Sequence, residues 1–438
     1  MSRSPAEIAF VGGRLIDGNG GPPIEDSVVV LRGAAIMAAG PAVSNPIAPT
    51  TRRIDVTGKT VMPGLMDMHI HLKMGLDDTW KVKAMKVPVD LDMPLTLIGI
   101  KGFARARQAL EMGFTTLRDV GDIGHLAVSL RDAIDTGLVE GPRIVACGEN
   151  FSATGGTTDF LPDWLSRNDV PKRIIDGPDE IRRYIRSLAK NRVDWVKFIA
   201  TGTLGPTAVA QEYSDDEIAA IVREARARGK PVCAHACYAE GALAVAKAGV
   251  DSLEHGCRLT DEIVEVMLEK GTFLVPTLSL FHSIVADGHE LGIPTATIEM
   301  AREQLDAHVK SFALALEAGV EIASGSDIGS PGCAHGRSAH ELTLLVEFGM
   351  TPLQAITAAT KTSARMLGRD DLGTLAEGKL ADLVIVDGDP LTEIAILEDA
   401  ARIELVMKNG EICFDRRPEP RDPRGERGVV PATRITAP

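Results

Sequence analysis

Two histidines separated by one residue, His69 and His71, close the apolar run VMPGLMDMHIHL. Side chains two apart in an extended strand project to the same face, so both imidazoles point the same way, close enough to grip one ion. Four further groups able to bind metal or move protons end apolar runs elsewhere: Lys197 in WVKFIA, His235 in PVCAHA, His255 in DSLEHG and Asp327 in EIASGSD. Lys197 is the most telling of them. An ammonium set among Trp195, Val196, Phe198 and Ile199 is costly to bury unless it is paired or neutralised. Desolvation favours the neutral, nucleophilic amine, which CO₂ can carboxylate. The two oxygens of such a carbamate could bridge two cations.

The elements that must position these groups are legible in the pattern between residues 61 and 368. One unit recurs there: an amphipathic helix, a glycine, then a short apolar strand, as in ARQALEMGFTTLRDV and LAVAKAGVDSLEHG. Gly113, Gly229, Gly249, Gly271 and Gly319 suit the left-handed position just past a helix end. Ser214 with Glu217 spells a capping box, and Thr351-Pro352 puts proline at a first helical position. Strands alternating with helices predict a parallel sheet. About eight candidate strands end near residues 71, 119, 147, 199, 236, 255, 278 and 327. An α/β fold of the (β/α)8 TIM-type barrel is the economical reading, with a doubly wound open sheet as the alternative. Barrel active sites sit at the C-terminal ends of the strands, and all six groups fall there.

Residues 1–60 and 369–414 alternate short β-rich runs with Gly turns, which predicts a small β-sandwich domain formed by both termini. The tail, 415–438, is rich in Pro and Arg without an apolar period, and reads as disordered or as a strap over a neighbouring subunit. Residues 72–95 are long for a strand-to-helix loop and suggest a lid or an oligomer contact.

Composition narrows the function classes. The 438 residues are 45% hydrophobic, 25% charged and only 4% aromatic, an ordinary globular balance with an aliphatic core. A net charge of −14 argues against nonspecific binding to nucleic acid or anionic membranes. Six scattered cysteines without a Cys-x-x-Cys pair suit a reduced, cytoplasmic setting, and no apolar run approaches a membrane span.

Taken together, these motifs resemble the amidohydrolase superfamily over roughly residues 8–413. VMPGLMDMHIHL is similar to its strand-1 signature and WVKFIATG to its carboxylated-lysine strand. AHACYAEGALAVAKAGVDSLEHG is similar to its strand 5–6 segment, and ASGSD to its strand-8 aspartate. RQALEMGFTTLRDVGD, GPRIVACGENFSATGG and ELTLLVEFGMTPLQAITAAT carry a finer resemblance to its imidazolonepropionase-like and Xaa-Pro dipeptidase (prolidase-like) branch. The resemblance implies that His69, His71 and Asp327 bind one metal, that His235 and His255 bind a second, and that carboxylated Lys197 bridges them. Zn²⁺ is the expected ion, with Mn²⁺, Co²⁺ or Fe²⁺ as alternatives.

It further implies hydrolysis of an amide-type C–N bond by metal-activated hydroxide, with Asp327 as the catalytic proton carrier. An N-acyl amino acid, dipeptide or xenobiotic amide is the expected small-molecule substrate. A carbamate, urea or cyclic amide is the alternative, and a non-catalytic scaffold a third reading. A homo-oligomer is expected. The chain departs from the peptidase pattern at Thr157, where dipeptide-cleaving members often have His, and at Cys237 and Tyr238 after strand 5. These three, with His335 in the loop after Asp327, are the candidate substrate contacts, and the departures favour a less polar substrate. His340 is placed in the following helix.

Overall fold

The computed structural model describes residues 7–75, 93–159, 174–204, 208–330 and 332–417. Most of the loop anticipated over 72–95 and of the tail over 415–438 lies outside these residues. From the start of the chain come β1 (Glu7–Leu15), β2 (Ile24–Arg32), β3 (Ala35–Pro41), β4 (Arg52–Asp55) and β5 (Thr60–Pro63). Two arcs of parallel strands follow. The first pairs β6 (Leu65–Ile70), β7 (Phe114–Asp119) and β8 (Arg143–Ala146). The second pairs β9 (Val196–Ile199), β10 (Val232–Ala236), β11 (Ser252–His255) and β12 (Phe273–Val275).

The arcs meet through single bridges. Phe151 pairs with Phe198 on one side. On the other, residues 321–328 run between β12 and β6, with bridges Leu274–Ile322 and Ile70–Ile328. Backbone bonds from Met68 N to Ser324 O (2.9 Å) and from Asp327 N to His69 O (2.7 Å) hold that segment against β6. The eighth strand expected near 327 is therefore an irregular stretch. Gly325 explains part of this: a Cβ there would lie 2.8 Å from His69 Cβ and 2.4 Å from Val275 Cγ1, so β6 can approach only a bare backbone. The seventh strand stops at Val275 rather than near 278, because Thr277 takes a left-handed turn (φ 53) and Leu278 already begins a helix.

Between the strands lie α1 (Leu95–Glu111), α2 (Leu126–Asp135), α3 (Gly177–Lys190), α4 (Asp215–Ala227), α5 (Ala239–Ala248), α6 (Asp261–Lys270), α7 (Leu278–Asp287) and α8 (Thr295–Ala318). After the irregular eighth segment come α9 (His340–Glu347) and α10 (Pro352–Thr357). In α3 the burial of Ile181, Ile185 and Leu188 follows the helical period, while Asp179 and Glu180 in the first turn and Lys190 in the last complement the dipole. The glycines at 113, 229, 249, 271 and 319 all have positive φ, between 64° and 90°. The capping box at Ser214/Glu217 and the proline at the start of α10 form as the sequence predicts, and Thr351 with Gln354 makes a second box.

The chain ends return as β13 (Leu383–Val386), β14 (Ile403–Lys408) and β15 (Glu411–Asp415). Where a sandwich of both termini was expected, the two ends instead form one hydrogen-bonded sheet, in the order β15-β14-β13-β5-β1-β2-β3, with β4 also on β1. Register shifts at Val11/Gly13 and Gly13/Leu15 let β1 pair β4 with its first half and β5 with its second. Alternation along β13 serves two cores. Leu383 and Ile385 pack with Phe10, Val29 and Leu405, whereas Val384 and Val386 join the large cluster under the helices. Among the described residues no helix is long and apolar enough to cross a membrane.

Candidate active site

Five of the six groups singled out by type lie at or just past the C-terminal ends of the arcs, with Lys197 two residues deeper in β9, and all are buried, with exposures from 1% to 7%. His69 of β6 and His71, just past its end, do converge. His71 Nε2 lies 3.3 Å and His69 Nε2 3.7 Å from the same Asp327 Oδ1. The His69 ring lies 4.9 Å from that of His255, which lies 4.3 Å from that of His235. His69, His255 and Asp327 each offer a ligand atom within 4.8 Å of the others, a spacing that could hold a metal ion. Lys197, on β9 beside the strand of His235, is close enough for its charge to lower the basicity of His69, His235 and His255.

Two of these residues sit in strained backbone. His255 (φ 71) and Asp327 (φ 54) are both left-handed, a conformation that costs non-glycine residues about 1–3 kcal/mol. The turn at His255 ends the alternation of β11, so that Glu254 and His255 both approach His69.

Each imidazole has a partner that orients it. His69 Nδ1 faces Glu254 Oε2 at 2.7 Å, His71 Nδ1 faces the Gly121 carbonyl at 3.1 Å, and His255 Nδ1 faces Thr277 Oγ1 at 2.6 Å. His69 and His71 thereby turn Nε2 toward Asp327. His235 differs, with Nε2 2.9 Å from Thr203 Oγ1. The Asp327 segment is pinned from β6, since Asp67 accepts from Ser326 N at 3.0 Å. Glu341, from α9, accepts from Leu278 N (2.9 Å) and Ser279 N (2.8 Å) and so fixes the turn that carries Thr277.

The electrostatics favour neutral imidazoles at His69, His235 and His255 and an ionised Asp327, the states a cation needs. Burial, reinforced by Lys197, pushes His69 down to about 4 and His235 to about 3. Burial and the neighbouring rings take His255 well below its usual range. Burial opposes ionisation of Asp327, but His69, His71 and the Ser330 hydroxyl (2.6 Å) outweigh it and lower the carboxyl to about 2. Neutral nitrogens and a carboxylate converging in a buried space fit a divalent cation.

The candidate substrate contacts are scattered by comparison. Thr157 donates to Glu212 Oε1 through its amide (2.8 Å) and hydroxyl (2.7 Å). Cys237 is fully buried, with its thiol 3.3 Å from that of Cys257. Tyr238 is half-buried under the Arg258 guanidinium, 5.4 Å from the ring centroid. His335 Nε2 faces the Met74 carbonyl at 2.7 Å. His340 begins α9, as expected, and contacts Glu398 and His282.

Sequence reasoning missed Glu254, Arg118, Asp67 and Thr277. Arg118 carried a usable signal, a cation inside the strand-like run FTTLRDV, of the kind that singled out Lys197. Glu254 carried a misleading one, because strict alternation places it opposite His255.

Comparison with known proteins places the chain among relatives. The profile of the amidohydrolase family matches residues 60–413. The ochratoxinase of Aspergillus niger is 30% identical over 94% of this chain and 88% of its own length. The imidazolonepropionase of Salinispora tropica is 26% identical over 88% of this chain and 92% of its own. A crystal structure of a Xaa-Pro dipeptidase with methionine bound in its active site superposes with a TM-score of 0.83 at 32% identity, covering 93% of this chain and 99% of that one. The chain belongs to the amidohydrolase family, hydrolases that act on carbon–nitrogen bonds.

Proposed function

We propose that this chain is a metal-dependent hydrolase cleaving an amide-type C–N bond in a small molecule: an N-acyl amino acid, a dipeptide or a related xenobiotic amide. The observation that carries the reading is the convergence of His69, His255 and Asp327, with His71 on the same carboxylate oxygen and His235 against His255. The kinship with proteins named ochratoxinase and Xaa-Pro dipeptidase supports it. In this reading the two arcs and the 321–328 segment are the staves of one (β/α)8 barrel over residues 61–368, beside the terminal unit of residues 1–60 and 369–414.

His69, His71 and Asp327 would hold one ion and His235 and His255 a second. Nitrogen and carboxylate donors suit Zn²⁺, with Mn²⁺, Co²⁺ or Fe²⁺ as alternatives. Lys197 fits the role of bridge once carboxylated. Addition of CO₂ to its neutral amine, with loss of one proton, would give a carbamate anion with two oxygens able to hold cations. When bound, the metal supplies Lewis acidity and a water acidic enough to be a nucleophile near neutral pH. The chain's own residues do the rest. Asp327, ionised at neutral pH, accepts a proton at its carboxylate and returns it to the leaving nitrogen. The low exposure of these groups, 1% to 7%, limits the access of bulk water to that transfer. Thr157, Cys237, Tyr238 and His335 are proposed as the substrate wall.

A hydrolysis screen tests the reading. The metal-loaded chain is offered N-acyl amino acids, dipeptides, carbamates and phenylureas, and amine release is followed. Chelator-sensitive turnover of an amide supports it. Turnover confined to carbamates or ureas moves the bond class, and turnover unaffected by chelation overturns the mechanism.

A further inference from the structure

We propose that Glu254, which is not among the six candidate ligands, is a positioning residue for His69. Its carboxylate fixes which nitrogen of that ring carries the proton and how the ring is turned, and Arg118 holds the carboxylate in place. The inference rests on the metal reading above.

Glu254 exposes none of its surface. Oε2 lies 2.7 Å from His69 Nδ1, and Oε1 accepts from Arg118 Nη2 at 2.8 Å and from Ser252 Oγ at 2.5 Å. An ionised carboxylate only accepts hydrogen bonds. The proton of His69 is therefore on Nδ1, and the lone pair is on Nε2, the nitrogen facing Asp327. His71 and His255 rest on a backbone carbonyl and a hydroxyl, so of these three rings His69 alone is turned by a charge. A carboxylate behind an imidazole raises its donor strength toward a metal.

Arg118 gives the carboxylate its rigidity. It is fully buried on β7, stacks on Trp195 at 4.8 Å and donates to the Met68 carbonyl (2.6 Å) and Ser252 Oγ (3.0 Å) besides Glu254. The pair links β7 of one arc to β11 of the other, where the arcs share few backbone bonds. Apolar residues would fill the same volume without the desolvation cost of two charges. A buried pair retained against that cost, and aimed at a candidate ligand, points to a role in aligning it.

The test is the dissociation constant for Zn²⁺, measured on the full chain by competition with a chromogenic chelator, alongside the melting temperature of each metal-free protein. Glu254→Gln should weaken binding about 10- to 100-fold. The double variant R118M/E254M removes both charges. It should melt near the parent yet bind as weakly as Glu254→Gln, a split that a purely structural role would not produce. Parent-like affinity in either variant overturns the proposal. A measurement that needs no variant stands beside it: the ¹⁵N shifts of His69 in the metal-free parent should report the Nδ1–H tautomer, and the Nε2–H tautomer would overturn the inference. A parent that takes up no Zn²⁺ defeats the metal reading as well, whereas equal binding by parent and variants defeats only the role of Glu254.

Discussion

An interior strand of the terminal sheet, β13, buries four apolar residues, Leu383, Val384, Ile385 and Val386. Charges near it stay partly exposed: Lys59 reaches both Asp387 and Glu404 at 2.7 Å. In the arcs, β6 buries Asp67 and His69, β7 buries Arg118 and Asp119, and β11 buries Glu254 and His255. The two regions share one chain, yet the second places charges where the first places methyl groups. Burying a charge is costly unless it is paired, so polar residues gathered in one interior signal chemistry, while the terminal sheet signals support.

Mutations should separate the two regions by which property they damage. The largest effect belongs to Asp327→Asn, which should leave the fold intact and lower turnover about 10²- to 10⁴-fold, read as kcat on the metal-loaded protein. Near-parental kcat would remove the aspartate from proton transfer. Leu383→Ala, in a fully buried position of the sheet, should cost about 2–5 kcal/mol in denaturant unfolding while leaving the kcat of the folded protein alone. A loss of kcat without loss of stability would show that the sheet does more than support.

His308 gives a subtler contrast. Burial holds its folded pKa at about 4, whereas the unfolded chain takes up that proton near 6.5. Between those values the unfolded state binds more protons, so stability falls as pH falls from 6.5 toward 4. In His308→Gln that loss should be shallower, by up to about 1.4 kcal/mol per pH unit, in unfolding curves taken across the window. Parallel profiles would mean that the ring titrates in the fold. The smallest effect is expected for Lys59→Met, less than about 1 kcal/mol despite two carboxylate partners, because solvent screens the pairs.

Much of this was legible in the residues themselves. The His-x-His spacing brought both rings to one carboxylate oxygen even though β6 pairs with β7 irregularly between Asp67 and Ile70. The helix-ending glycines and the capping box at Ser214 formed because they act locally, within one turn. The interleaving of the two ends of the chain was visible as shared texture. Its form was not, because the division of β1 between β4 and β5 depends on bulges that no periodic pattern encodes. Glu254 escaped for a similar reason. The left-handed turn at His255 breaks the alternation on which a face assignment rests. The eighth strand was overcalled in regularity because the close approach of β6 at Gly325 is a tertiary fact.

The central claim is that these buried imidazoles and Asp327 converge on a divalent cation. Elemental analysis of the purified full chain, with His69→Ala beside it, tests this most directly. One or two divalent ions per chain in the parent, and a clear loss in the variant, is the expected result. A parent free of metal after incubation with Zn²⁺, or a variant that keeps the parental content, would contradict it.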